Sequence, residues 1–196
     1  MRVNFLLCTL LLTLATSVAW ADPITLNFDN LKDSAKVTTQ FSGLSFTNAT
    51  AITSGVTLNE LEFPPRSGTN VVYNDGGNMT INFTVPTVSF DGYFTYDSRL
   101  TMTAFDNKGN QIGSLFSQFT NNLLLSGIAG SKPNERLSLS SVTGISRIVI
   151  SNTGSFVLDD LKYNTSVAAA VPEPATLTLL VSGSLLLFGR RKKRVI

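Results

Sequence analysis

Apolar and polar residues alternate one for one in short segments through the middle of this chain. Ile24-Thr25-Leu26-Asn27-Phe28 alternates strictly, and Met79-Thr80-Ile81-Asn82-Phe83-Thr84-Val85 puts Met79, Ile81, Phe83 and Val85 on one face. Leu100-Thr101-Met102-Thr103-Ala104 repeats the pattern, and Leu137 pairs with Leu139, as Ile148 does with Ile150. A period of two is the signature of half-buried antiparallel strands. Turn-forming clusters separate the runs: Asn74-Asp75-Gly76-Gly77, Asp106-Asn107-Lys108-Gly109-Asn110, Ser131-Lys132-Pro133-Asn134 and Asn152-Thr153-Gly154. The cluster from Asp106 to Asn110 predicts a hairpin. No amphipathic helix is predicted in this region; Leu123-Leu124-Leu125, within residues 121–128, reads as a short helical turn or a buried strand. Short strands with turns every eight to twelve residues or so predict an all-β, antiparallel two-sheet sandwich.

The two ends break the alternation. At the N-terminus, Arg2 precedes an apolar run over residues 5–15, and Ala19-Trp20-Ala21 fits an A-x-A cleavage site. Residues 1–21 therefore read as a signal peptide, with an uncleaved anchor as the rival reading. Cys8 is the single cysteine and lies inside this peptide, so a body beginning at Asp22 has neither disulfide nor thiol. At the C-terminus, residues 171–196 hold three parts in order. Pro172-Glu173-Pro174 is extended, because each proline fixes φ and biases its neighbour away from helix. Residues 175–189 are apolar and would form a helix of about 22 Å, short against a hydrocarbon core of about 30 Å. Arg190, Arg191, Lys192, Lys193 and Arg194 follow, a cluster that stays cytoplasmic by the positive-inside rule. Residues 165–170, small and weakly polar, link this tail to a domain over residues 22–164.

Charge changes once the ends are set aside. The whole chain has a net charge of +2, but residues 22–171 carry nine Lys and Arg against twelve Asp and Glu. A basic surface for nucleic acid is therefore excluded. The chain has no histidine, which removes Ser-His-Asp and Cys-His catalysis and the usual zinc sets. The remaining catalytic chemistry is a carboxylate pair, Glu60 with Glu62 or Asp91 with Asp97. Such spacings arise readily by chance, and no enzymatic activity is expected.

The tail, on the order and spacing of its Pro-Glu-Pro motif, apolar run and basic cluster, resembles the PEP-CTERM sorting signal of Gram-negative, exopolysaccharide-producing bacteria. An ordinary membrane anchor is the alternative, though it has no need of Pro-Glu-Pro. The resemblance implies processing by an exosortase, a membrane cysteine protease that recognises the Pro-Glu-Pro region. It also implies transient anchoring through the apolar helix, then delivery to the cell surface or to a biofilm matrix where polysaccharide is a partner. The closing run Phe156-Val157-Leu158-Asp159-Asp160-Leu161 resembles the last strand of jelly-roll domains of the carbohydrate-binding-module and galactose-binding-like kind.

That second resemblance implies two sites. In such jelly rolls the first aspartate of the closing pair can ligate a structural Ca²⁺, which points to Asp159, with Asp29 or Asp33 as partners if first and last strands pair. Ca²⁺ takes six to eight oxygens, so one aspartate is far from a site, and the plain alternative is that Asp159 and Asp160 face opposite sides and one of them caps the sheet edge. No other cofactor is expected. A sugar platform needs exposed aromatics; alternation puts Phe90, Phe94 and Tyr96 on one face and Tyr93 on the other. Phe90 and Phe94 read as core, and Tyr93 and Tyr96, with Tyr73, are the sugar-stacking candidates. The single tryptophan, Trp20, lies in the signal peptide, which weighs against a lectin. Two readings of the body follow: a structural or interaction component of the extracellular matrix, and a carbohydrate-binding module.

Overall fold

The structure, a computed structural model, describes residues 22–165. The signal peptide, its Ala19 and Ala21, and the whole tail lie outside the described residues. Among those described there are nine strands and no helix: β1 Ile24–Leu26, β2 Leu44–Thr47, β3 Ala49–Thr53, β4 Asn70–Asn74, β5 Met79–Tyr96, β6 Thr101–Phe105, β7 Gln111–Phe116, β8 Glu135–Ser151 and β9 Phe156–Thr165. Every pairing between them is antiparallel. One layer runs β2, first half of β5, second half of β8, β6, β7. The other runs β3, β4, β9, second half of β5, first half of β8, with β1 against the end of β9. The fold is the expected all-β sandwich, and β1 does pair with β9, Ile24 opposite Tyr163.

Two strands are much longer than the alternation predicts, because β5 and β8 belong to both layers. Each bends at the same level. The β5–β8 register breaks between Asn82 and Thr87 and again between Thr87 and Ser89. Pro86 sits at the bend of β5 and Gly144, at φ 86°, at that of β8; a Cβ on Gly144 would lie 2.9 Å from Pro86. Glycine is thus required by both its dihedral and the close approach. From Asn82 to Thr87 β5 advances five residues against two in β8, and from Thr87 to Ser89 β8 advances five against two, so the core face of β5 passes from odd-numbered to even-numbered positions. Met79, Ile81 and Phe83 face the core before the bend, and Phe90, Phe94 and Tyr96 after it. Val85, expected on the core face, falls within the bend and is 47% exposed.

The same device operates in β9. Gly92 of β5 stands opposite two residues of β9, Asp160 and Leu161, and Asp160 has φ 46°. This is a β-bulge, which leaves one residue unpaired and turns the strand. Strict alternation expects Leu161 and Tyr163 to share a face with Val157. Instead they join Phe156 and Leu158 in the main core, while Val157 packs with Leu58 and Val71 on the opposite side. β1 is also shorter than predicted. Phe28 takes φ 63°, a left-handed conformation uncommon outside glycine, and drives its ring edge-on against Phe41 and Phe46.

The predicted hairpin at Asp106 is present, closed by Asp106 N–H to Asn110 carbonyl at 3.0 Å, and joins β6 to β7. The Leu123-Leu124-Leu125 segment is neither helix nor strand. Leu124 and Leu125 are 54% and 76% exposed, and the buried residue there is the polar Asn122. A second long connection, residues 54–69, covers the outer face of β4 and β9, laying Leu58 and Phe63 on Val71, Tyr73 and Val157. Both faces of β9 are therefore buried.

Candidate functional site

The 54–69 connection brings the sequence-predicted residues into one place. The side chain of Asp159 projects from β9 beneath it and is fully buried. Its Oδ2 accepts hydrogen bonds from the backbone N–H of Arg66 at 2.7 Å and of Ser67 at 3.0 Å, and its Oδ1 accepts one from Asp160 N–H. Asp160 receives the Arg66 guanidinium at 3.0 Å and the Ser67 hydroxyl at 2.7 Å. Asp29 completes the arrangement: its Oδ1 accepts from Thr69 N–H at 2.8 Å and Asn70 N–H at 3.0 Å. Asp159 and Asp29 thus fasten one loop through its backbone donors, and Asp160 holds the same loop through two of its side chains.

This arrangement does not fit Ca²⁺. A cation needs oxygens converging on one point. Here both oxygens of Asp159 and the Oδ1 of Asp29 are occupied by N–H groups, and Asp33 accepts separately from Thr53 N–H and the Thr57 hydroxyl. No group of three acidic side chains with metal-binding geometry occurs among the described residues. Of the two adjacent aspartates, one of them expected to face outward, Asp159 is buried under the 54–69 connection and Asp160 is the partly exposed one.

Burial pushes the Asp159 carboxyl up from 3.8 to about 6, against the opposing pull of the Ser67 amide. A carboxyl whose pKa is raised on folding adds stability below its unfolded value and loses it as pH climbs through the folded one. Stability should therefore decline by about 2–3 kcal/mol on this account between pH 4 and pH 7. Asp159→Asn should lack that component, which urea titrations of the two proteins at both pH values will show. An equal pH dependence in the two proteins would refute it. The melting temperature of the parent should be indifferent to Ca²⁺ and to EDTA.

The aromatic candidates are placed differently from expectation. Tyr96 is fully buried, its hydroxyl donating to the Glu135 carboxylate; burial, with that bond, pushes its pKa to about 12. It cannot stack on a sugar, because the face of β5 that it shares with Phe90 and Phe94 is the core face. Tyr93 is on the outer side as predicted, but the Arg66 guanidinium lies over its ring, 3.4 Å from the centroid. The platform is thus already stacked by a cation, one held in turn by Asp160. Tyr73 is half-buried, its hydroxyl 3.3 Å from that of Ser155. Arg66 was not legible as part of this cluster. Its only signal is its place between Pro64-Pro65 and Gly68, which marks an ordered loop without naming its target.

The carboxylate pairs do not assemble as pairs. Glu60 and Glu62 lie in the 54–69 connection rather than on a strand; Glu60 accepts from Gly55 N–H and Glu62 from the Asn59 amide. Asp91 is bonded to Arg136 at 2.9 Å, and Asp97 accepts from Ser155 N–H at 2.9 Å. Each carboxylate has its own partner.

No curated protein matches this sequence. Among solved structures, the K2 cleaved adhesin domain of Lys-gingipain is similar over 72% of this chain and 97% of its own, at 12% identity and a TM-score of 0.45. A DUF4465 family protein from Bacteroides caccae is similar over 74% and 100%, at 9% identity and a TM-score of 0.47. CsCBM6-3 from Clostridium stercorarium, in complex with cellobiose, is similar over 73% and 94%, at 10% identity and a TM-score of 0.37. Likeness at this level transfers no binding property. The sequence profile of one family, the PEP-CTERM protein-sorting motif, matches residues 170–194. That span contains Pro172, Glu173 and Pro174, the apolar run, and the basic cluster from Arg190 to Lys193 and Arg194. The chain therefore bears a PEP-CTERM protein-sorting motif, which implies export, transient membrane anchoring, processing by an exosortase, and a cell-surface or extracellular fate.

Proposed function

We propose that this protein is a non-enzymatic surface or matrix component of a Gram-negative bacterium, with a structural or interaction role in a biofilm or exopolysaccharide layer. The sorting motif carries the reading: an exosortase substrate is built to be released from its tail and left outside the cell. The domain it delivers supports a passive role. Its carboxylates are engaged in holding loops and in ion pairs, the chain has no histidine, and its sandwich is braced on both faces of β9. No cofactor enters the proposal.

Intact-mass analysis of protein released by an exosortase-bearing host tests it. The expected mass lacks everything beyond the Pro172-Glu173-Pro174 region, and deletion of residues 190–194 should leave uncleaved precursor in the membrane. Released protein that still carries Arg190 and Arg191 would overturn the reading. A second reading, a carbohydrate-binding module, loses its Tyr93 and Tyr96 platform but keeps one observation: a neutral polar cleft between the β4–β5 and β8–β9 turns.

A further inference from the structure

That cleft has a volume of about 320 Å³ and is walled by Tyr73, Asn74, Asn152 and Thr153, with glycines of both turns completing it. Its size is at the small end of ligand clefts, which run from about 300 to 1,000 Å³. Asn74 fixes the two turns to each other. Its amide donates to the Gly154 carbonyl at 3.1 Å and accepts from Phe156 N–H at 2.6 Å. These bonds fix the walls of the cleft to each other, so it is a built feature of the fold.

Its lining is neutral. The nearest carboxylates are turned to other partners: Asp75 to Lys36 and the Thr50 hydroxyl, Asp97 to Ser155 N–H. Asn152 Nδ2 is buried without a hydrogen-bond partner, a state that costs free energy until an acceptor is supplied. The Tyr73 hydroxyl shares one bond with Ser155 and retains further capacity. Gly76, at φ 75°, has open space where a Cβ would project, so a ligand can approach the backbone there. Amides and hydroxyls that both donate and accept, beside an aromatic ring and with no charged side chain in the lining, match a neutral polyhydroxylated ligand.

We propose that this cleft binds a single neutral monosaccharide unit, free or within a polysaccharide, with Asn152 and Tyr73 as its polar contacts. The inference rests on the carbohydrate-binding reading of the domain, and the two fail differently: sugar binding that survives both cleft variants removes the cleft and leaves that reading standing, whereas absence of all sugar binding removes both.

The test is calorimetric titration of the full chain, purified in a non-glycosidic detergent, with glucose, galactose, mannose, cellobiose, lactose and glucuronate. Saturable binding of at least one neutral sugar is expected. Thr153→Trp, at an exposed turn position, should block the cleft, and Asn152→Ala should remove its unpaired donor. Each should weaken binding about tenfold or more, a change of about 1.4 kcal/mol, with thermal melts showing that both variants fold. Tyr93→Phe, outside the cleft, should bind as the parent does. Absence of saturable binding across the panel would overturn the proposal. So would binding that survives both cleft variants, or a preference for glucuronate.

Discussion

Asn122→Ala should destabilise the domain by about 3–5 kcal/mol, one of the two largest effects expected of a single substitution. The reason lies in where β8 begins. Its first residue, Glu135, stands opposite Phe94 of β5, so beyond Phe94 that edge of β5 has no strand beside it. Asn122 takes the missing strand's place. Its backbone N–H donates to the Tyr96 carbonyl at 3.0 Å, and its Oδ1 accepts from Tyr96 N–H at 2.7 Å. Its Nδ2 donates to the carbonyls of Phe94 at 2.8 Å and Lys132 at 3.1 Å. Asn122 is fully buried, so water cannot replace these bonds without opening the loop. Truncation orphans three backbone groups at about 1–3 kcal/mol each, less whatever the loop recovers by relaxing. At about 2–4 °C per kcal/mol for a domain of this size, the melting temperature should fall by roughly 10 °C. Asn122→Asp tests the geometry further, since it keeps the acceptor for Tyr96 N–H but loses both donors. It should be as damaging at neutral pH and partly recover in acid. An alanine variant within about 1 kcal/mol of the parent would show that Asn122 does not hold this edge.

Phe156→Ala should cost about 3–5 kcal/mol, as truncation of a fully buried aromatic does. Phe156 has no exposed surface, lies opposite Tyr96, and packs against Phe94 with ring centroids 6.3 Å apart. Its backbone bond to Asn74 survives the change, so the loss is one of packing and cavity. Leu161→Ala provides the sharper test of the bulge. Strict alternation places Leu161 with Val157 in the small outer cluster, whereas the bulge at Asp160 places it in the main core. A cost of about 2–5 kcal/mol follows for Leu161→Ala. Urea unfolding of both variants reads these values. A cost for Leu161→Ala well below 1 kcal/mol would mean that β9 keeps strict alternation.

The address of this protein was legible because it is written in one dimension. The tail's order of Pro-Glu-Pro, apolar run and basic cluster needs no tertiary structure to be read, since its partners act on an extended peptide and a membrane. The all-β class was legible for the same reason: Met79, Ile81 and Phe83, or Ile148 and Ile150, alternate along their own strand, and that pattern alone demands a sheet with one buried face. β2 and β3 were not singled out, because four or five residues such as Ala49-Thr50-Ala51-Ile52-Thr53 hold too few large side chains to show a period.

What the tertiary structure decided is everything that depends on phase and on cover. A bulge adds one residue and moves all later side chains to the other face, so the bends in β5 and β8 and the bulge at Asp160 relocated Val85, Leu161 and Tyr163. Local pattern cannot announce a bulge whose cause is a partner strand. The fate of Tyr93 and Asp159 was set by cover: the 54–69 connection lies over β9 and brings Arg66, remote in sequence, onto Tyr93 and Asp160. A tyrosine or aspartate on a strand has the same sequence signal whether water or a loop lies above it. The cleft at Asn74 and Asn152 is likewise a product of two turns brought together by β4 and β9, because its walls meet only when hydrogen bonds from Asn74 tie segments remote in sequence to each other.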